Sequence, residues 1–374
     1  MRIALVVTGG FDESGRTRVI PSLLWLVERL ARRHDVVVYV LRYEVAPRQY
    51  ALAGARIRDL GSPRGLLRQF AALQTAMRAD GPFDVVHGYW AYPAGLLAAL
   101  TARVRGVPAI VTCDSGEFVS VPSAAYGQQR TLRMRLTVGA AVRLAACVTV
   151  CSEYQASLAR AHGLAPQVIP LGVDLDLFTP RATAPVGPPY RLLHVASLNP
   201  VKGQDTLLRA MRHLCGRGLD VTLDVAGEDT MNGALSRLAG ALGVSSRVRF
   251  LGFRPSDELV TLYHGAHLSV LSSWHEAAGV VLLEAAACGV PVVGTDVGYL
   301  SDWKAAGATT VTPNDPEALG DAIAGLLTHP ERSRVLASRT TTWARAHDAD
   351  WSAARFDELY VSLVRRPLSG SVGG

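Results

Sequence analysis

Apolar positions along the chain follow two alternating rhythms. Short β-branched runs, IALVV (residues 3–7), VVVYVL (36–41), FDVVHGY (83–89) and PAIVTC (108–113), flank stretches near 20–33 and 92–105 whose apolar residues recur every three or four positions. The first rhythm marks strands and the second amphipathic helices. A second series starts at YRLLHVASL (190–198) and continues through VTLDVAG, VRFLG, LSVLSS and PVVGTD, with helical patterns near 203–217, 233–242, 255–265, 279–288 and 315–328. Strand–helix–strand alternation predicts an α/β protein with parallel sheets and right-handed crossovers.

Between the two series lies PLGVDLDLFTPRATAPVGPPY, residues 170–190, rich in proline and without a helical period. The expected organisation is therefore two doubly wound, Rossmann-like domains facing a central cleft: residues 1–172, a linker at 173–190, and residues 191–351. A terminal helix at 352–366 is expected to return to the first domain. In such sheets ligands bind beyond the carboxyl ends of the strands. A length of 374 residues suits this division, because single cores stop growing at about 250–300 residues.

Composition narrows the partners. Hydrophobic residues make up 49% and charged ones 19%, so disorder is expected only in the tail SGSVGG. No stretch has the roughly 18–20 uncharged apolar residues of a membrane span. MRIALVVTGG runs straight into a polar loop and does not read as a signal peptide. The five cysteines, Cys113, Cys147, Cys151, Cys215 and Cys288, contain no C-x-x-C pair and read as reduced thiols of a cytoplasmic protein. A net charge of +6 suits an anionic partner. Without a nucleic-acid module or a basic stripe with interleaved aromatics, that partner is expected to be a phosphate-bearing small molecule or an anionic lipid headgroup, and no nucleic acid. QQRTLRMRLTVGAAVRLAA (128–146) places Arg130, Arg133, Arg135 and Arg143 among apolar residues; a solvated helix face and peripheral contact with a membrane are both open to it.

The stretch SSWHEAAGVVLLEAAACGVPVVGTDVG, residues 272–298, holds the most telling chemistry. A helix beginning near Gly279 leaves Glu276 in the strand-end loop and Glu284 inside an all-apolar helix. The amides of Ala278, Gly279 and Val280 then become first-turn donors suited to a phosphate. A buried carboxylate needs hydrogen-bond donors. Either a buried Arg or Lys or the vicinal hydroxyls of a sugar would complete Glu284.

The pair E-x7-E followed by CGVPVVGTDVG resembles the donor-site signature of retaining glycosyltransferases of the GT-B fold, family 4. FDVVHGYWAYPAGLLAALTARVRGVPAIVT, VTVCSEYQASLARAHG, VIPLGVDLDLF, VKGQDTLLRAM, VRFLGFRPSDELVTLYHGAHLSVLSSWHE and NDPEALGDAIAGLL fall in that family's order. The resemblance implies a nucleotide diphosphate sugar as donor substrate, a hydroxyl acceptor (glycan, small molecule or lipid-linked sugar), and no metal or other cofactor. It implies that Glu276 contacts the transferred sugar, Glu284 the ribose, and Lys202, in NPVKG, the diphosphate, with Gly279 and Val280 at the helix start. Ser197 stands where the family usually carries an Arg, and Asp114, in VTCDSGEF, where it commonly carries a His. Arg16, Arg18 and Arg254 are the candidate replacements for the missing cation. Gly10, in TGGFDESGRTR, belongs to a loop that lines the ligand in the resembled family, although a plain tight turn suits it as well. His87, beside Tyr89 and Trp90, is open to two readings, a structural histidine bonded to backbone and an acceptor-side group, and it is carried as an acceptor-side candidate together with Arg16; His275, next to Glu276, is similarly open. Asp174 and Asp176 form a D-x-D triplet in the linker, away from any carboxylate cluster, and no metal is expected there. Two other functions fit the pattern: a nucleotide-sugar-binding subunit without turnover, and a nucleotide-sugar epimerase of the same fold.

Overall fold

A computed structural model of the chain describes residues 1–42 and 44–365. The expected disordered tail and the last residue of the expected terminal helix, Arg366, lie outside the described residues. Two compact units emerge: residues 1–120 and 127–172 with the segment from Ala349 onward, and residues 173–348 with the short segment 121–126.

In the first unit, strands and helices follow in the order β1 (Arg2–Val7), α1 (Pro21–Ala31), β2 (Asp35–Val40), β3 (Arg48–Leu52), β4 (Ala55–Asp59), α2 (Leu66–Asp80), β5 (Val85–Tyr89), α3 (Leu96–Arg105), β6 (Ala109–Cys113), α4 (Leu132–Leu144), β7 (Cys147–Val150), α5 (Glu153–Ala161) and β8 (Gln167–Val168). The sheet order is β3-β4-β2-β1-β5-β6-β7-β8. Every pairing is parallel except the β3–β4 hairpin. The central strands are buried on both faces, which is why they read as unbroken β-branched runs.

The second unit runs β9 (Tyr190–Val195), α6 (Gln204–Gly216), β10 (Val221–Ala226), α7 (Ala234–Ala241), β11 (Val248–Gly252), α8 (Ser256–Gly265), β12 (Leu268–Leu271), α9 (Val280–Ala287), β13 (Val292–Thr295), α10 (Gly298–Asp302), β14 (Thr309–Val311), α11 (Pro316–Thr328) and α12 (Pro330–Ala346). Its sheet is parallel throughout, ordered β11-β10-β9-β12-β13-β14. Strand order reverses between β9 and β12, and the carboxyl ends of strands at such a switch point are where ligands bind in sheets of this kind.

The closing helix α13 (Ala349–Arg365) belongs to the first unit. Its buried residues, Ala349, Ser352, Ala353, Phe356, Leu359, Tyr360 and Leu363, recur at three- and four-residue spacing and form one stripe. Ser352, in that stripe, donates its hydroxyl to the Pro170 carbonyl at 2.6 Å.

Candidate active site

The loop after β9 and the loop after β12 are stitched together by one backbone and one side-chain hydrogen bond. Trp274 donates its amide to the Val201 carbonyl at 2.8 Å, and Ser272 Oγ donates to the Lys202 carbonyl at 2.9 Å. Farther along, Thr295 Oγ1 at the end of β13 donates to the Ser273 carbonyl, and the Tyr299 amide of α10 to the Ala278 carbonyl. This lattice fixes where Lys202 and Glu276 can go. Lys202 Nζ donates to Glu276 Oε1 at 2.7 Å, and Ser273 Oγ donates to the same oxygen at 2.6 Å. Burial alone would raise the Glu276 carboxyl, but the Lys202 ammonium outweighs it and holds the group below the ordinary carboxylate range. Both side chains keep some exposure, 25% for Lys202 and 12% for Glu276, so a ligand can reach the pair.

Helix α9 starts at Val280, with Gly279 before it at φ +83°, a left-handed conformation that glycine adopts without strain. Among the described residues the amides of Ala278, Gly279 and Val280 have no protein acceptor. They are the orphan donors of a helix N-terminus, carrying its positive dipole end.

Glu284 lies one turn further into α9 and is 4% exposed. No cation meets it. Instead Tyr263, fully buried on α8, donates its hydroxyl to Glu284 Oε2 at 2.9 Å. Nothing in the sequence marks Tyr263 as the partner of a residue 21 positions on, so this donor is not among the cation and sugar hydroxyls expected for Glu284. Burial pushes the Glu284 carboxyl up to about 7, with the Tyr263 hydrogen bond pulling the other way. Ser273, the second donor to Glu276, was also missed; its only signal is the pair of small hydroxyl residues ending LSVLSS.

Among the other candidates of this unit, His275 adjoins Glu276 and helps hold its carboxyl low. Ser197 is exposed, and its carbonyl accepts from Gln204 Nε2 at 3.0 Å. Arg254, just past β11, makes an exposed ion pair with Glu258 at 3.6 Å. His275 is buried, its ring 5.9 Å from that of Tyr126 in segment 121–126. Asp174 Oδ1 accepts from the amides of Asp176 and Leu177, an Asx turn inside the linker stretch.

In the first unit, His87 corrects the sequence reading. It is fully buried, not on an acceptor face. Tyr360 of α13 lies 2.7 Å from its Nδ1 and Thr112 2.7 Å from its Nε2, and its ring packs against Tyr89 and Phe356. Burial pushes its pKa down to about 3, so it is a neutral core histidine with both nitrogens satisfied. Asp114, directly after β6, is partly exposed and accepts from Cys151 Sγ at 2.8 Å. Nearby Glu117 is fully buried; it accepts from the Ala91 amide at 3.2 Å and the Ser115 amide at 2.8 Å, and burial pushes it up to about 7. Glu117 thereby ties the loop after β5 to the loop that carries Asp114. Gly10 sits after β1 in a turn closed by the Ile20 amide on its carbonyl at 3.0 Å. Arg16 is on the exposed part of that loop, and Arg18 pairs with Glu44 at 2.9 Å.

Comparison with known proteins shows the family and the fold. The family described as "Glycosyl transferases group 1" matches residues 179–343, and the "Glycosyl transferase 4-like domain" matches residues 19–172. D-inositol 3-phosphate glycosyltransferase 1 of Catenulispora acidiphila is 32% identical over 84% of this chain and 79% of its own length. The D-inositol 3-phosphate glycosyltransferase of Mycolicibacterium smegmatis is 32% identical over 80% and 73%. In fold, the chain is similar to sucrose-phosphate synthase from Thermosynechococcus elongatus, with a TM-score of 0.81, 22% identity and coverage of 97% and 98%. It is also similar to Anabaena HepE solved with UDP-glucose, with a TM-score of 0.75, 21% identity and coverage of 97% and 100%. The chain belongs to the group 1 glycosyltransferases, transferases of the GT-B fold that move a sugar from a nucleotide-sugar donor.

Proposed function

We propose that the protein is a retaining glycosyltransferase whose donor site is the carboxyl edge of β9 and β12, and whose acceptor is a hydroxyl. The observation that carries this reading is the Lys202–Glu276 contact of 2.7 Å beside the free amides at the start of α9. A cation and a helix N-terminus at one strand edge suit a diphosphate, and the two carboxylates beside them suit the hydroxyls of a sugar and a ribose. Lys202 and the amides of Gly279 and Val280 take the diphosphate, whose negative charge grows as the sugar leaves. Glu276, kept ionised by the neighbouring Lys202, accepts from hydroxyls of the sugar. Glu284 accepts from the ribose hydroxyls with the oxygen that Tyr263 leaves open.

In the transfer step the anomeric C–O bond to the diphosphate breaks and its electron pair stays on the departing oxygen. The acceptor hydroxyl attacks from the face that the diphosphate leaves, and its proton passes to a diphosphate oxygen, so configuration is kept. Glu276 is held ionised by Lys202 and is assigned to sugar binding, not to covalent attack. Arg254 and the loops bearing Ser197 and Gly10 are assigned to the donor phosphates. Asp114 and Arg16 are assigned to the acceptor, and no metal is required when Lys202 and the helix start offset the diphosphate charge. Relatives named for D-inositol 3-phosphate make a phosphorylated polyol the first acceptor to try.

A thermal-shift panel of UDP-, GDP- and ADP-sugars, followed by nucleotide release with and without acceptor, tests the reading. Stabilisation by none of them overturns the donor site. Stabilisation without release favours the second reading, a binding subunit with little turnover, which Ser197 and Asp114 support by standing where the family carries Arg and His. Anomeric coupling in the NMR spectrum of the product tests retention. Glu284→Ala should weaken binding of the free nucleotide by about 1.5–3 kcal/mol. Glu276→Ala should lower transfer more than it lowers nucleotide affinity. Unchanged nucleotide affinity in a folded Glu284→Ala protein would remove the ribose assignment.

A further inference from the structure

Helix α4 presents a face that the donor and acceptor assignments leave unused. Val138, Ala141 and Val142 are its buried residues, and they pack in the core of the first unit. At about 100° per residue, Leu132 and Leu136 fall roughly 40° apart on the opposite side, with Gly139 and Arg143 continuing the same ridge. Arg133 and Arg135 flank that ridge, one on each side. Leu132 is 69% exposed and Leu136 62%, and Met134 on the same turn is 38% exposed. Single apolar residues on a surface are ordinary, but a leucine ridge bordered by arginines along one helix is not.

The electrostatics are one-sided. Residues 128–146 contain Arg130, Arg133, Arg135 and Arg143 and no Asp or Glu. The neighbouring helix α3 adds Arg103 and Arg105, and no acid occurs between Asp84 and Asp114. Among the described residues, no ion pair engages Arg133, Arg135 or Arg143. Beside the helix lies a cavity of about 460 Å³ whose lining includes Phe118, Leu136, Val142, His162, Arg135 and Arg143. A recess lined by apolar side chains and two arginines suits a molecule with an anionic head and an apolar body.

We propose that α4 is an interfacial helix that docks the protein on an anionic lipid surface, with Leu132 and Leu136 entering the acyl boundary and the arginines meeting headgroup phosphates. A helix in this role lies in the plane of the interface and draws affinity from buried apolar area plus attraction to anionic lipid. Because α4 follows the loop after β6, its exposed amino-terminal half lies at the same end of the first unit as Asp114. Docking there would bring that strand edge close to lipid-borne molecules. The inference is independent of the donor-site reading, since none of its residues is assigned to the donor or the acceptor.

Flotation of the full chain with vesicles of phosphatidylcholine alone, or of phosphatidylcholine and phosphatidylglycerol in equal parts, tests it. The protein should float with the anionic vesicles, weakly or not at all with the neutral ones, and less as salt rises. Arg133→Gln with Arg143→Gln should lower partition about fivefold per arginine. Leu132→Ala with Leu136→Ala should lower it about tenfold or more. All four positions are outside the core and the leucine pair becomes a good helix former, so an unchanged circular dichroism spectrum and urea midpoint are expected. Failure to float with anionic vesicles, or equal flotation of the original protein and both variants, overturns the proposal. So does a dimer in solution that the leucine variant turns into a monomer, because the face would then cover a second copy of the chain.

Discussion

At the scale of the residue, Glu284 combines a cost to the fold with a use in binding. Its carboxyl is raised from its ordinary value of 4.5 to about 7 by burial. Between those values the folded chain keeps a proton that the unfolded chain has released, so its contribution to stability falls as pH rises and is lowest above about pH 7. Glu276 has the opposite sign: held below its ordinary value, it stabilises the fold at neutral pH and loses that contribution in acid. Glu284→Gln removes the charge and keeps an acceptor for Tyr263. The variant should be more stable than the original protein by roughly 1–3 kcal/mol at pH 8, with the gap closing near pH 5. Urea midpoints at the two pH values check this, and a gap of the same size at both would mean that Glu284 does not titrate as its burial implies. The same variant should bind the donor nucleotide more weakly, because an amide replaces the carboxylate that accepts from the ribose. Stability gained at the expense of binding is the usual signature of a site residue.

At the scale of the element, the loop–helix joints decide how firmly the site is held. Gly203 ends the NPVKG turn at φ +61°, and a Cβ there would overlap the Ser272 carbonyl. Gly203→Ala should therefore part the loops after β9 and β12 and move Lys202 off Glu276. We expect a loss of about 2 kcal/mol or more in stability, with weaker nucleotide binding, measured by urea unfolding and titration of the nucleotide. That turn was legible as a turn, but its contact with Ser272 was not, since the two are 69 positions apart. The same division runs through the fold. Strands buried on both faces, such as β1, β2 and β13, were plain as β-branched runs, and the helices between them carried a clear period. The β3–β4 hairpin was missed because RQYALAGARIRD mixes arginines into a half-exposed alternation, and β3 has no buried residue. Helix α12 was missed because its buried stripe is Leu336, Ala337, Thr340 and Ala344, too small and polar to give a hydrophobic rhythm. His87 was misassigned because one of its two partners, Tyr360, is 273 positions away.

At the scale of the whole molecule, the first unit is completed by the last helix in the sequence. Phe356 and Tyr360 are fully buried, Leu359 and Leu363 nearly so, and the Tyr360 hydroxyl reaches His87 in the centre of the sheet. Each such side chain contributes about 1.5–3 kcal/mol by burial, which together rivals the total stability of a typical domain. Arg29, itself buried on α1, also pairs with Asp350 at the start of α13. The second unit draws only on residues 121–126 and 173–348. A chain ending at Asp348 should therefore lose cooperative folding of the first unit, exposing the Tyr89 and His87 face of its sheet. Its second unit should still unfold as a separate transition that the donor nucleotide shifts upward. Calorimetry of the full and shortened chains with and without nucleotide separates the two: the shortened chain should keep the ligand-sensitive transition and lose the other. Loss of both would mean that the second unit cannot stand without the first. Survival of both would mean that α13 covers a sheet already stable without it.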